Sequence, residues 1–180
     1  MKLVLLLFFL SVGLFVHSQN DFAKGYIIGP KNDTTQGEVK LFTKNELDHY
    51  VKVMFRVKAP GAGKQYLPQK IHGYGFDGKD YMSIKYYDMW VFMQVVCRGK
   101  IMFYEYKAPV AMGNDKMESM YFIIKGGLDE MTQIMTESKV KKQIKPFISD
   151  DKELLKEIEK EDLDYNKLVQ LIERYNERNT

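Results

Sequence analysis

From residue 22 to residue 136, apolar and polar residues alternate in short runs. This period of two is that of strands with one face buried. The run 50–57 alternates most strictly. It sets Val51, Val53, Phe55 and Val57 on one side and Lys52, Met54 and Arg56 on the other. Residues 22–42 form an opening hairpin, with one strand at Tyr26-Ile27-Ile28 and the other at 37–41. In the second strand Val39 and Leu41 oppose Glu38 and Lys40, and the turn-forming residues 29–36 make the loop. A strand over 71–76 carries Gly73 and Gly75, which mark a bend, a bulge or a close backbone approach. Asp77-Gly78 is a short-hairpin turn leading into 81–87, where Met82, Ile84 and Tyr86 oppose Ser83 and Lys85.

The longest apolar stretch outside the first residues is 90–106, WVFMQVVCRGKIMFYEY. It reads as two strands joined by a tight turn at Arg98-Gly99. Residues 91–96 are apolar at five of six positions, which predicts a central strand with both faces covered. Residues 108–116 are a loop containing Pro109 and Gly113. Residues 119–124 are another strand, and Gly126-Gly127 turns the chain towards 128–133.

Beyond Glu137 the period changes. Val140, Ile144, Phe147 and Ile148 recur at helical spacing, and Pro146 ends that helix. Asp150 with Glu153 forms a capping pair for a helix that turns Leu154, Leu155 and Ile158 inward. Asp164 caps a last helix with an apolar stripe of Leu168, Leu171, Ile172 and Tyr175, and the interleaved Glu and Lys form a solvated face. The expected fold class is α+β: an antiparallel β-meander, either a curved sheet or a partial barrel, followed by a C-terminal cluster of two or three short helices.

The first residues stand apart. Lys2, the apolar run 3–16 and the polar residues after it predict a signal peptide over 1–18. Residues 19–180 then form a single globular domain, β-rich over about 22–136 and helical over about 137–178. No second long apolar run follows, so no transmembrane segment is expected in the mature chain. Removing 1–18 takes away one lysine and leaves 26 basic against 24 acidic residues, too even a balance to call for nucleic acid. Cys97 is the only cysteine, so no intramolecular disulfide forms. The twelve tyrosines suit half-buried sheet faces, and also suit a sugar- or peptide-binding surface.

Catalytic and cofactor motifs fail on spacing. Gly61-Ala62-Gly63-Lys64 lacks the glycine at 58 and the hydroxyl at 65 that a phosphate-binding loop needs. Gly73-Tyr74-Gly75 lacks the third glycine and the helix of a dinucleotide turn. After the leader only His49 and His72 remain, with no paired metal-ligand spacing, so no metal and no cofactor is expected. Ser83, Ser119, Ser138 and Ser149 lack the context of a nucleophile elbow. A thiol hydrolase would rest on Cys97 with His72, and a glycosidase on Asp77, Asp80, Asp88 or Glu105. Cys97 leads into a hairpin turn, where a structural thiol is the ordinary outcome. Helix caps and solvated faces account for Asp150-Asp151, Asp162/Asp164 and Glu157/Glu161. No residue is assigned as catalytic.

Five segments, in order, resemble an uncharacterised type of secreted protein common in Bacteroidetes-type Gram-negative bacteria. They are Ser18-Gln19 at the end of the leader, the hairpin FAKGYIIGPKNDTTQGEVKL, the segment QYLPQKIHGYGFDGKDY, the hairpin FMQVVCRGKIMFYEY and the helical ending ELLKEIEKEDLDYNKLVQLIERYNE. The resemblance implies export, to the periplasm, the outer surface or the medium. It also implies a β-rich body with a helical C-terminus, and no enzymatic activity. In such bacteria Asp33-Thr34-Thr35 matches an O-glycosylation acceptor pattern, which makes Thr34 the candidate glycan site. The expected function is an exported non-enzymatic binding or structural module of the cell envelope, acting on an unknown envelope protein or small ligand. A small envelope-acting hydrolase using sheet carboxylates or His72 is the alternative.

Overall fold

The computed structural model describes residues 21–109, 117–126, 131–134, 137–160 and 162–179. The predicted leader, residues 110–116 and 127–130, Glu161 and the side chain of Ser138 lie outside the described residues. The strands are β1 Phe22–Ile28, β2 Thr34–Lys40, β3 Val53–Arg56, β4 Lys64–Tyr66, β5 Gly73–Phe76, β6 Lys79–Tyr86, β7 Met89–Cys97, β8 Ile101–Pro109, β9 Met117–Lys125 and β10 Thr132–Ile134. The helices are α1 Asp48–Val51, α2 Glu137–Ile144, α3 Lys152–Lys160 and α4 Tyr165–Arg178. All ten strands form one antiparallel sheet in the order β10-β9-β8-β7-β6-β5-β1-β2-β3-β4. The expected α+β meander with a helical C-terminus is therefore the fold. The sheet is open, with β4 and β10 as its edges, rather than closed into a barrel.

The register places Phe55, Val39, Ile27, Tyr74, Tyr81, Phe92, Phe103 and Ile123 on one face. We call it the inner face, because the helices cover it at both ends. Around β1, β2, β3, β5 and β6 it closes over Tyr50 of α1. Around β8 and β9 it receives Val140, Ile144, Leu154, Ile158, Leu168, Leu171, Ile172 and Tyr175 from α2, α3 and α4. The outer face of β6–β9 has its own buried cluster of Ile84, Val91, Met93, Tyr104, Phe122 and Ile124. Phe92 is thus buried on one side of β7, and Val91 and Met93 on the other, as the apolar run 91–96 predicts.

Asp77 and Gly78 both take positive φ, 48° and 74°, the two-residue hairpin turn whose twist matches its flanking strands. The glycines of β5 mark close approaches: a Cβ on Gly75 would lie 2.7 Å from the Tyr26 ring.

Several boundaries differ from the sequence pattern. The strand expected over 50–57 is cut to β3, because residues 48–51 form a helical turn. Val53 and Phe55 are buried as expected, but Val51 and Val57 are 46% and 62% exposed. Alternation in 50–57 mimics a longer strand because Val51 lies on the open side of α1. In the opening hairpin both strands are longer and the loop shorter than expected: Ile28 pairs with Thr34, and the Gly29 N–H donates to the Asp33 carbonyl at 2.8 Å. Tyr87 is not in the strand before it but in the turn, at φ 50°. The cap of α3 is Asp151 rather than Asp150. One Asp151 carboxylate oxygen accepts the N–H groups of Glu153 at 3.1 Å and Leu154 at 3.0 Å.

Asp150 is instead a junction. Its carboxylate accepts from Lys100 at 3.0 Å, from Lys125 at 3.2 Å and from the Tyr175 hydroxyl at 2.8 Å. These donors, Lys100 foremost, hold its carboxyl well below the usual carboxylate range. One side chain thereby ties the β7–β8 turn and the end of β9 to α4. Asp164 caps α4 as predicted, accepting the Lys167 N–H at 2.8 Å.

The β7–β8 turn is broader than a two-residue turn. It spans residues 98–100, with a register shift between Val95 and Cys97. Asn176, in α4 and 5% exposed, completes it. Its Oδ1 accepts the Ile101 N–H at 2.8 Å, and its amide donates to the Ile101 carbonyl at 2.8 Å and the Arg98 carbonyl at 3.2 Å. Gly99, at φ 152°, lies under this amide, and a Cβ there would be 2.7 Å from the Asn176 Cβ. The glycine thus serves both the turn and the helix that docks on it.

Candidate functional site

Between the two buried zones of the inner face, the register brings polar residues together on β7, β8 and β9. Gln94 pairs with Glu105, and Glu105 with Tyr121. Strand alternation puts Lys107 and Ser119 on the same side, because they pair with each other two places along. The Ser119 hydroxyl donates to Glu105 Oε1 at 2.6 Å. Lys107 reaches across to Glu46, just ahead of α1, at 3.0 Å.

Tyrosines flank this carboxylate along the sheet: Tyr81 pairs with Gln94, Gln94 with Glu105 and Glu105 with Tyr121. The Tyr121 and Tyr165 rings lie 4.6 Å apart, and Phe103 stands behind them at 5.8 Å and 6.1 Å. From α1, Tyr50 packs edge-on between Tyr81 at 5.8 Å and Tyr106 at 5.6 Å. It reaches Tyr106 where β7 and β8 have ceased to pair, beyond Gln94–Glu105. Tyr50, Tyr81, Tyr121 and Tyr165 all have raised hydroxyl pKa values, from burial first and then from the negative charge of Glu105 among their neighbours. Tyr165 is pushed up to about 12. Each is a neutral phenol at physiological pH. Tyr50 is 1% exposed and its hydroxyl has no hydrogen-bond partner among the described residues. A buried hydroxyl with no partner costs about 1–3 kcal/mol, so such groups mark sites that water or a ligand completes.

A second aromatic group centres on His49, which the sequence left without a role. His49 stacks on Phe76 at 4.9 Å and meets Phe42 at 5.1 Å. Its Nε2 accepts the Phe42 N–H at 3.3 Å, and the Tyr74 hydroxyl donates to its carbonyl at 2.6 Å. Burial pushes its pKa down to about 4, so the ring is neutral.

The structure separates the other candidate residues. Cys97 is buried with Sγ 3.9 Å from the Val169 carbonyl, and burial pushes its thiol up to about 12. His72 is exposed and pairs through Nδ1 with Asn32 Oδ1 at 2.7 Å, on a different part of the sheet. Asp80 accepts from Arg98 at 2.9 Å and from the Tyr26 hydroxyl. Asp77 and Asp88 are exposed at hairpin turns. Asp80 and Glu105 fall on opposite faces of the sheet, so these carboxylates do not face one another across a cleft. Among the described residues, no group of three or more His, Cys, Asp or Glu is placed to hold a metal ion. No described helix is long and apolar enough to cross a membrane. Thr34 is exposed at the start of β2.

Glu105 was legible only as one of four sheet carboxylates, and Tyr50 only as a strand residue. The long-range pairing that joins them carries no local signal. The Asn176 role had one: Leu168, Ile172 and Asn176 recur every four residues, placing an amide on the apolar stripe. A comparison with protein-family models, curated proteins and solved structures finds no match to this chain.

Proposed function

We propose that this protein is an exported, non-catalytic binding module of the cell envelope, with the tyrosine-ringed centre around Glu105 as its ligand site. The observation that carries the reading is the buried Tyr50 hydroxyl, without a partner among the described residues, on a tyrosine that packs against Tyr81 in the row of paired residues leading through Gln94 to Glu105. Sheet strands hold Glu105, Ser119 and Tyr121 rigidly, which suits a preformed recognition surface. The leader-like residues 1–18 and the resemblance to exported proteins support the compartment. The hydrolase alternative gains nothing from Cys97 or His72, which lie apart with the thiol buried.

The test is a thermal-shift and pull-down screen of the purified protein against envelope polysaccharides, peptides and membrane extracts. A ligand that raises the melting midpoint of the native protein, and does so less for Glu105→Gln, supports the reading. No shift and no capture across the screen would overturn it. The glycan at Thr34 is a separate proposal, supported by its exposure and by the Asp-Thr-Thr pattern. An intact mass equal to that of the unmodified chain from residue 19 would refute it.

A further inference from the structure

The centre around Glu105 has a definite electrostatic character. Lys107 is on the same face and strand, but it is engaged by Glu46 at 3.0 Å. Among the described residues, no lysine, arginine or histidine forms an ion pair with Glu105, and the Ser119 hydroxyl, a neutral donor, holds one of its oxygens at 2.6 Å. The carboxylate therefore sits half-buried with no ion-paired cation among the described residues, in a row of paired residues that runs from Tyr81 through Gln94 and Glu105 to Tyr121, with Tyr165 against Tyr121 at one end and Tyr50 against Tyr81 at the other. A half-buried carboxylate without a cation is unfavourable, and aromatic faces attract cations through their ring quadrupoles. An anion would be repelled by Glu105. A neutral polyol would leave the charge uncompensated. The unpartnered Tyr50 hydroxyl, nearly fully buried, adds one fixed hydrogen-bonding group on the α1 side.

We infer that this centre binds the ammonium group of a small organic cation, with Glu105 as counter-ion, the tyrosine rings as a cage and the Tyr50 hydroxyl meeting a polar atom of the same ligand. The inference rests on the binding reading above and narrows it to one ligand class. Glu105 supplies the charge and Ser119 fixes the carboxylate. Tyr121 and Tyr165 form one wall, held together by their 4.6 Å contact.

The experiment is a titration of the purified protein, followed by calorimetry and by the side-chain resonances of its tyrosines. The probes are choline and ethanolamine, each against its uncharged isostere, 3,3-dimethyl-1-butanol and 1-propanol, with glucose as a neutral polyol. Saturable binding of at least one cation is expected. Its isostere should bind at least about tenfold more weakly. Glu105→Gln should weaken the cation about tenfold or more while leaving the isostere unchanged. Tyr50→Phe, which keeps the ring and removes only the hydroxyl, should weaken the cation more modestly. Glu157→Gln, on α3, should leave binding as it is. Melting midpoints of the variants establish that each is folded.

Equal binding of cation and isostere, tighter binding of glucose, or cation binding unaffected by Glu105→Gln would each overturn the cation assignment while leaving a binding module in place. Absence of saturable binding by every probe would also overturn it. The binding reading itself falls only if the envelope screen is silent as well, so the two failures are distinguishable.

Discussion

Removing the Asn176 amide tests the account of how the helices are joined to the sheet. Asn176→Ala deletes the acceptor of the Ile101 N–H and the donor to the Ile101 and Arg98 carbonyls. Ile101 is fully buried, so water does not replace the two lost partners on its main chain. Orphaning buried main-chain groups costs about 1–3 kcal/mol each, and these two share one residue, so a loss of about 3 kcal/mol is expected. That is a large part of the roughly 5–15 kcal/mol that stabilises an ordinary domain. With a urea m-value of about 2 kcal/mol/M, the unfolding midpoint should fall by about 1.5 M with m unchanged. Gly99→Ala supplies the second half of the test. Its new Cβ would collide with Asn176 Cγ and lie 2.8 Å from Nδ2, atoms that Asn176→Ala removes, so it should destabilise the wild type more than it does the Asn176→Ala protein, in which only the contact with the residue-176 Cβ remains. A coupling of about 1 kcal/mol or more in the double-mutant cycle is expected. A loss below about 1 kcal/mol for Asn176→Ala, or strict additivity of the two substitutions, would refute the reasoning.

Three further outcomes follow from particular residues. His49 is neutral when folded, with a pKa near 4 against about 6.5 when unfolded, so the unfolded chain binds the extra proton between those values. Stability is full above pH 6.5 and is lost as pH falls towards 4, by at most about 3 kcal/mol; denaturant melts at pH 7.5, 6, 5 and 4.5 read it, and an equally steep decline in His49→Asn would count against the assignment. The Cys97 thiol, buried and pushed up to about 12, should resist a thiol reagent in the native protein and react promptly in urea; rapid native labelling would contradict its placement. Asp151→Ala should cost about 1–2 kcal/mol through the lost α3 cap; an undiminished unfolding free energy would show that the cap contributes nothing.

Much of the architecture was readable locally. Period-two alternation located β2 and β6, apolar runs between turn residues located β7, β8 and β9, and Asp77-Gly78 located a two-residue turn by its need for positive φ. Helical spacing and Asp164 located α4. The misreadings came where local pattern is degenerate. Val51 and Val57 alternate with Val53 and Phe55, yet only the latter two face the core, since α1 and the following loop turn the chain away. Asp150 and Asp151 are adjacent and chemically alike, and only one can sit at the N-cap while the other faces Lys100, Lys125 and Tyr175.

The sequence by itself determined the longer strands and the C-terminal helices, their order and the inward stripes of the helices, because these depend on side-chain periodicity and turn chemistry over a few residues, while α1 and the short β4 escaped it. Only the tertiary structure decided that β5 pairs with β1, that the sheet stays open, and that Asn176 closes a turn 75 residues away at Ile101. It alone brought Tyr50 against Tyr81, in the row of paired residues that runs through Gln94 to Glu105 and Tyr121. Such contacts arise from strand register and from burial against distant elements, and no local propensity encodes either.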